Sequence, residues 1–293
     1  MYLVTGATGS VGKRIVRRLR DRDLPVRAFV RLSSSYAELE QRGAEIFIGD
    51  LAQERDLRKA CRDVRYIISA HGSDGGQAQA IDYRANIDLM DFGQENRVEQ
   101  FVYVSVLGTD RGYQDSPVFK AKREVENALQ KGELTYTILR PSGFASNLLP
   151  LAERFRDTGV YFAIGDLKNR SSILSPDDLA EIAIQATQRE AARNQVFAVG
   201  GPEILNRDDI PKIFGRVFQK DPFVVNLPLS VLDGVRSAIG FINPELQRSL
   251  GTLRILLANE FFCTSEEIHR LESVFDIQME SLESFLRRYL VNS

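Results

Sequence analysis

Seven residues near the amino end of the chain have the composition of a phosphate-binding turn. The segment Gly6-Ala7-Thr8-Gly9-Ser10-Val11-Gly12 follows the apolar run Tyr2-Leu3-Val4 and precedes helically spaced apolar residues at Ile15, Val16 and Leu19. A helix amino terminus offers unpaired N–H groups to an anion, and glycines let the backbone approach a diphosphate. The alternative is a tight turn that needs its glycines only for positive φ, but the strand–turn–helix context favours phosphate. We predict contacts from Gly6, Thr8, Gly9, Ser10, Val11 and Gly12.

The elements around this turn alternate between apolar strands and helices as far as about residue 160. Further strands are predicted at 25–30, 44–48, 66–70, 100–105 and 134–140. This alternation predicts an α/β fold, a doubly wound parallel sheet of the Rossmann type with helices on both faces. Its ligand should lie beyond the carboxyl ends of the strands. We predict a cofactor-binding domain over residues 1–155 and a smaller C-terminal substrate lobe over 156–293, interleaved with the sheet.

The end of the second predicted strand indicates which cofactor the turn binds. An acidic residue there would bind the ribose hydroxyls of NAD, whereas an arginine accommodates the 2′-phosphate of NADP. The chain has Arg31 at this place, followed by Ser33 and Ser34, and no carboxylate. A guanidinium can hold a phosphate through two hydrogen bonds, and serine hydroxyls add donors. We therefore predict NADP rather than NAD, the alternative being that Arg31 is a solvated surface charge.

Two further strand ends carry candidate cofactor contacts. After the third strand, Asp50 could bind an adenine amino group and Leu51 could pack on the ring; the alternative for Asp50 is the N-cap of the next helix. After the fourth strand come Ala70 and His71. An imidazole titrates near neutral pH and suits acid–base chemistry, although an exposed loop histidine is the simpler interpretation.

Several motifs resemble those of the NmrA-like atypical short-chain dehydrogenase/reductases. The resemblance implies a Rossmann fold, an NADP cofactor and a reductase, regulator or assembly factor. It spans most of residues 1–200. The segments that carry it are 6–12, Arg31, 49–51, 82–86, 101–105, 116–122, 139–144 and 173–180.

The wider family implies a catalytic serine, tyrosine and lysine, and this chain departs from that set. Lys120 matches the family lysine best, and Lys122 is the second choice. The tyrosine would stand four residues earlier, where the chain has Ser116 or Val118. Ser105 is the candidate serine, although the family serine often falls one position later. As an alternative, both lysines could lie on a solvated helix face, paired with carboxylates four residues on.

Three functions remain compatible with a missing tyrosine. The first is an NADPH-dependent reductase of an apolar, quinone-like or activated-alkene substrate that needs little acid catalysis. In the second, His71 or Tyr113 supplies the proton. In the third, the protein binds NADP(H) without turnover and acts as a sensor, regulator or assembly factor with a protein partner. The first is our leading interpretation.

The segment after the sixth strand is expected to pass over the nicotinamide, with contacts from Pro141, Gly143 and Phe144; ordinary loop packing is the alternative. From residue 228 to 242 an apolar helix is predicted to cover a pocket or join the core.

Composition limits the remaining possibilities. The net charge is -2, from 38 basic and 40 acidic residues, which argues against a dedicated nucleic-acid binder. Two cysteines far apart, without metal-like spacing, indicate a reduced, cytoplasmic compartment and no metal site. No apolar run is long enough for a transmembrane segment. Because the first strand is predicted to begin at Tyr2, we expect no signal or transit peptide within this sequence; the alternative is a longer precursor that has been trimmed.

Overall fold

The computed structural model of the chain describes residues 1–73, 76–113, 116–240 and 242–291. The chain divides into two compact units, each made of three segments. The first unit comprises Met1–Arg140, Pro176–Phe197 and Ser273–Ile277, and the second comprises Pro141–Ser175, Ala198–Glu272 and Gln278–Ser293. The functional boundary near residue 155 stays a prediction.

The strands form one large sheet and two small ones within the described residues. The large sheet has seven strands in the order β3-β2-β1-β4-β5-β6-β9, with parallel pairing from β3 to β6. The strand order reverses between β1 and β4, and the predicted doubly wound sheet is confirmed. The strands are β1 Tyr2–Thr5, β2 Val26–Val30, β3 Glu45–Ile48, β4 Tyr66–Ser69, β5 Gln100–Val104, β6 Tyr136–Pro141, β7 Val160–Ile164, β8 Arg170–Ser171, β9 Gln195–Val199, β10 Leu205–Asn206 and β11 Phe223–Leu227.

The helices include a π-helical segment, Ala78–Arg84, directly before α4. Short 3₁₀ turns occur at Ala145–Leu148 and Glu190–Ala192. The α-helices are α1 Ser10–Asp21, α2 Ala37–Gln41, α3 Glu54–Ala60, α4 Ala85–Glu95, α5 Pro117–Lys131, α6 Leu149–Thr158, α7 Pro176–Ala186, α8 Asp209–Phe218, α9 Leu229–Gly240, α10 Pro244–Ala258, α11 Ser265–Phe275 and α12 Leu282–Leu290.

Apolar burial holds α1 in the first unit. Ile15, Val16 and Leu19 recur at helical spacing and are fully buried, as the sequence pattern predicts. Each such side chain contributes about 1.5–3 kcal/mol relative to an exposed one. This packing keeps the amino end of α1 directly after the glycine turn.

The polar face of α1 is strongly basic, and most of its charges, together with that of Arg22 just after the helix, are paired inside the first unit. Glu38 of α2 and the acidic residues Asp177 and Glu181 of α7 supply the partners. The pairs are Lys13–Glu38 (2.7 Å), Arg17–Glu38, Arg14–Asp177 (3.1 Å), Arg18–Glu181 (3.1 Å) and Arg22–Glu181 (2.6 Å). The arginines of α1 therefore serve helix packing in this structure.

The second unit has its own core, built around Phe155, Tyr161, Phe214 and Phe285. Strands β7 and β11 pair in parallel, and β8 pairs with β10 in antiparallel. The predicted apolar helix is α9, with Leu232 buried but with Val231 and Val235 exposed. Among the described residues, no helix combines the length and the apolar character needed to cross a membrane.

Candidate dinucleotide-binding site

The glycine turn is packed so tightly that two of its residues cannot carry a side chain. Gly6 has φ +68°, and a Cβ there would lie 2.6 Å from the carbonyl oxygen of Ala70. A Cβ on Gly12 would overlap the carbonyl group of Gly6. The N–H of Gly9 donates to the same carbonyl oxygen at 2.9 Å. These contacts place the turn directly against the end of β4, next to Ala70 and His71.

The amino end of α1 fits an anionic group. Gly9 is its N-cap residue, so no side chain caps the helix, and its first turn has no acidic residue. Gly9 and Ser10 are exposed at the tip, Thr8 is half-buried, and Val11 is buried. The helix dipole and its amino-terminal N–H groups favour a negative charge at this point. The residues present therefore fit the diphosphate of a dinucleotide.

The residues after β2 lie at the same edge of the sheet and carry positive charge. Arg31 and Ser33 are exposed and Ser34 is half-buried. The N–H of Ser34 donates to the carbonyl oxygen of Arg31 at 2.9 Å, which closes a turn. In the described part of the chain, no carboxylate pairs with Arg31. The geometry leaves its guanidinium available for a phosphate.

Asp50 follows β3, and the alternative role that we considered for it is wrong. Its carboxylate accepts a hydrogen bond from the N–H of Ala52 at 2.9 Å, which closes a local turn. The N-cap residue of α3 is Gln53, so Asp50 does not cap that helix. Leu51 packs against the apolar core of the first unit. The predicted adenine contacts of Asp50 and Leu51 stay predictions.

His71 is buried in a hydrogen-bond network rather than exposed in a loop. Its Nε2 lies 3.0 Å from the carbonyl oxygen of Ile81, which can only accept, so the pattern assigns the proton to Nε2. Its Nδ1 then accepts from the hydroxyl of Thr5 at 2.7 Å. Burial and the nearby charge of Lys122 lower the pKa of His71 to about 4, against the effect of the Ile81 contact. The ring is neutral at physiological pH, which suits a structural role; its role as a proton donor stays a prediction.

The two candidate lysines have opposite environments. Lys120 is exposed on α5, whereas Lys122 is buried. The amine of Lys122 donates to the carbonyl oxygen of Val104, the last residue of β5, at 3.1 Å and lies 3.8 Å from Oδ1 of Asp82. Burial lowers the pKa of Lys122, although the charges of Asp82 and Glu126 act to raise it. The geometry favours Lys122 over Lys120 as the lysine at the strand end.

Asp82 is a buried residue of the π-helical segment whose role sequence reasoning missed. Its carboxylate also accepts from the backbone N–H of Ser73 at 3.2 Å and from the Ser73 hydroxyl. Its position within the motif at 82–86 was the available signal. Asn86, four residues on, accepts a hydrogen bond from Ser69 at 2.6 Å. Asp82 thus connects the residues after β4 to α5 through Lys122.

Ser105 is engaged by a second buried carboxylate, Glu126 of α5. The Ser105 hydroxyl donates to Oε1 of Glu126 at 2.6 Å, and Thr109 donates to the same oxygen at 3.0 Å. Arg140 at the end of β6 binds both carboxylate oxygens, at 3.0 and 2.8 Å. Glu126 is fully buried, so its interpretation as a solvated partner of Lys122 is wrong. Only the folded chain brings Glu126 and Arg140 together.

The remaining candidates lie outside these networks. Tyr113 is half-buried with its ring edge-on to Phe119, the centroids 5.5 Å apart. In the second unit, the carbonyl oxygen of Gly143 accepts from the N–H of Leu174 at 2.7 Å, which holds the segment that contains Pro141 and Phe144. The predicted cofactor contacts of Pro141, Gly143 and Phe144 stay predictions. Among the described residues, no three His, Cys, Asp or Glu side chains are grouped so that they could hold a metal ion.

The sequence model of the NAD(P)H-binding family matches residues 6–190, a range that holds the glycine turn, Arg31, His71, Lys122 and Arg140. The chain belongs to this family. The resemblance to NmrA-like atypical short-chain dehydrogenase/reductases is confirmed, and the cofactor prediction is confirmed at the level of NAD(P)H.

Proteins whose names indicate different functions are similar to the chain. An NAD(P)H azoreductase from Xenophilus azovorans is 30% identical over 215 residues, which cover 72% of this chain and 71% of that protein. A photosystem II assembly factor from Cyanophora paradoxa is 26% identical and covers 98% of this chain and 91% of its own length. An NADPH-dependent quinone oxidoreductase from Escherichia coli, solved with NADPH, superposes with a TM-score of 0.80 at 19% identity, covering 98% of this chain and 99% of that one. That structural likeness shows the shared fold.

The Gly12→Ala variant tests the close approach within the turn. The added methyl group overlaps the Gly6 carbonyl group, and such overpacking costs about 1–3 kcal/mol. We expect a lower melting temperature and at least a roughly tenfold weaker affinity for NADPH, measured by fluorescence titration. Gly234→Ala in α9 is the control, because a Cβ there meets no atom within 4 Å. Unchanged NADPH affinity in Gly12→Ala would contradict the assignment of the turn.

The buried environment of His71 predicts the pH range in which its ring becomes protonated. The folded-state pKa of about 4 lies below the reference value of 6.5, so the unfolded chain binds more protons between these values. The free energy of unfolding should therefore fall as the pH drops from 6.5 to 4. An NMR titration should show the His71 ring protonating only near pH 4. The sequence has two histidines, and His269→Gln assigns the other signal. Protonation of His71 near pH 6.5 would contradict this description of its hydrogen-bond network.

Proposed function

We propose that this protein is an NADPH-dependent reductase of an apolar, quinone-like or activated-alkene acceptor. The observation that carries the proposal is the engagement of the polar groups at the carboxyl ends of β4 and β5. His71 is neutral and hydrogen-bonded at both nitrogens, Ser105 donates to Glu126, and Lys122 donates to Val104. A site of this kind favours an acceptor that needs little acid catalysis from the protein.

The chemistry of a quinone meets that requirement. NADPH held at this site would supply a hydride; a quinone that accepts a hydride becomes a stabilised hydroquinone anion, which needs only one proton, and water can provide it. The contribution of the protein is then chiefly to orient cofactor and acceptor. The names of two similar proteins, an azoreductase and a quinone oxidoreductase, support an acceptor of this class.

We assign the cofactor contacts as follows. The turn from Gly6 to Gly12 binds the diphosphate, and Arg31 with Ser33 and Ser34 binds the 2′-phosphate. Lys122, whose amine donates to Val104 at the end of β5, is our candidate contact for the nicotinamide ribose. This assignment follows from the strand order, since β1 to β3 and β4 to β6 each serve one half of a dinucleotide.

A second candidate function is a non-catalytic NADP(H)-binding assembly factor or regulator. Large apolar side chains are exposed on the consecutive helices α9 and α10 and between them, with Ile242 86% exposed. Exposed apolar patches are typical of surfaces that bind partners. Similar proteins named as photosystem II assembly factors support this candidate. The other exposed apolar side chains of these two helices are Val231, Val235, Leu246 and Leu253.

The Arg31→Glu variant tests the preference for NADPH. Loss of a charge-assisted hydrogen bond costs about 1.5–3 kcal/mol, so NADPH affinity should fall roughly 10- to 100-fold while NADH affinity does not fall. Arg193→Glu is the control because it makes the same charge change just before the amino end of β9. Fluorescence titration with both cofactors gives the affinities. Equal losses for NADPH and NADH would refute the role of Arg31.

NADPH oxidation with a panel of quinones tests turnover. The rate of NADPH oxidation is measured by absorbance in the unaltered protein and in the variants Tyr113→Phe and His71→Asn. We expect the rates of both variants to stay within about tenfold of the unaltered protein. Removal of a general acid would typically lower the rate by more than that. Tight NADPH binding without turnover on any acceptor would reject the reductase and favour the non-catalytic candidate. Loss of turnover in only one of the variants, with its NADPH affinity and melting temperature unchanged, would identify that residue as the proton donor.

A further inference from the structure

Glu126 and Arg140 form a buried ion pair in the first unit, in which both carboxylate oxygens are bound. The Glu126 side chain is fully buried and that of Arg140 is 13% exposed. Nε and Nη2 of Arg140 bind one carboxylate oxygen each, in the bidentate geometry that gives strong and directional pairing. Arg123 adds a contact to Oε2 at 3.2 Å. The pair joins the middle of α5 to the end of β6.

The same two residues hold the segment that follows β5. Glu126 accepts hydrogen bonds from Ser105 and Thr109, and Nη1 of Arg140 binds Oδ2 of Asp110 at 2.6 Å. Three side chains within six consecutive residues are therefore attached to one ion pair. Backbone pairing to β6 continues as far as Ser105, whose N–H donates to Leu139 at 2.7 Å. The segment 105–110, which we call the clamped loop, is fixed at both ends.

The clamped loop lies at the carboxyl end of β5, next to the end of β6. In a sheet of this strand order, β1 to β3 bind one mononucleotide half of a dinucleotide, and β4 to β6 bind the other half. The glycine turn and Arg31 belong to the adenosine side. The clamped loop therefore belongs to the nicotinamide side.

We propose that Glu126 and Arg140 are positioning residues that fix the clamped loop for the nicotinamide half of the cofactor. This inference rests on the proposed NADPH binding. A loop that is already ordered does not have to lose conformational freedom when the ligand binds, and this preorganisation raises affinity. Glu126 itself does not touch the cofactor; it acts through Ser105, Thr109 and Arg140. The candidate serine thus serves as an attachment point of the loop.

The role of Glu126 is tested by comparing the affinity for NADPH with the affinity for a fragment that lacks the nicotinamide half. Affinities for NADPH and for adenosine 2′,5′-bisphosphate are measured in the full chain and in Glu126→Gln. We expect NADPH affinity to fall about tenfold or more while the fragment binds as before, because the fragment lacks the nicotinamide half. Glu124→Gln is the matched control, since it makes the same change two residues away on α5. It should alter neither affinity.

A second variant, on the clamped loop itself, distinguishes the proposed role from a folding defect in α5. Thr109→Val removes one attachment of the loop and keeps the ion pair, so it should weaken NADPH binding by a smaller factor and again spare the fragment. Equal losses for NADPH and the fragment, or no loss for either in both variants, would overturn the proposal. If the unaltered protein binds NADH rather than NADPH, the cofactor proposal fails, and NADH with ADP as its fragment then tests the clamp in the same way.

Discussion

Asp82 and Glu126 are fully buried carboxylates at the carboxyl ends of β4 and β5, and the surrounding structure depends on their being paired. A buried charge without a partner costs several kcal/mol, so each carboxylate requires cations and hydrogen-bond donors. Asp82 is near Lys122 and accepts from Ser73, and Glu126 is bound by Arg140, Ser105 and Thr109. These contacts orient the loops after β4 and β5 and join both to α5.

The same contacts decide which chemistry the site can support. Lys122 and Ser105 are residue types that the wider family uses in catalysis, yet here they satisfy buried acceptors. His71 is neutral because burial lowers its pKa. The glycine turn, in contrast, leaves the amino end of α1 uncapped and exposed at its tip. Cofactor binding is therefore supported by a helix end that is available, whereas His71, a candidate for proton transfer, has structural partners.

Membership of the NAD(P)H-binding family settles the cofactor class more firmly than the activity. Proteins similar over most of the chain include an azoreductase and photosystem II assembly factors, so one fold carries both functions. A fold does not by itself imply a function, because the function depends on the particular residues of the site. In this chain the distinguishing features are the absent tyrosine, the buried Lys122 and the exposed apolar residues of α9 and α10.

The sequence by itself determined the features that depend on local spacing. The glycine turn, the alternation of strands with helices and Arg31 at the end of β2 identify a dinucleotide-binding sheet, since each is a pattern of neighbouring residues. Only the tertiary structure decided the partners of Glu126 and Lys122. Helical spacing suggested that these two pair on a solvated face, but α5 turns both inward, to Arg140 and Asp82 respectively. Those partners come from other elements of the fold, and a contact of that kind has no signature in local spacing.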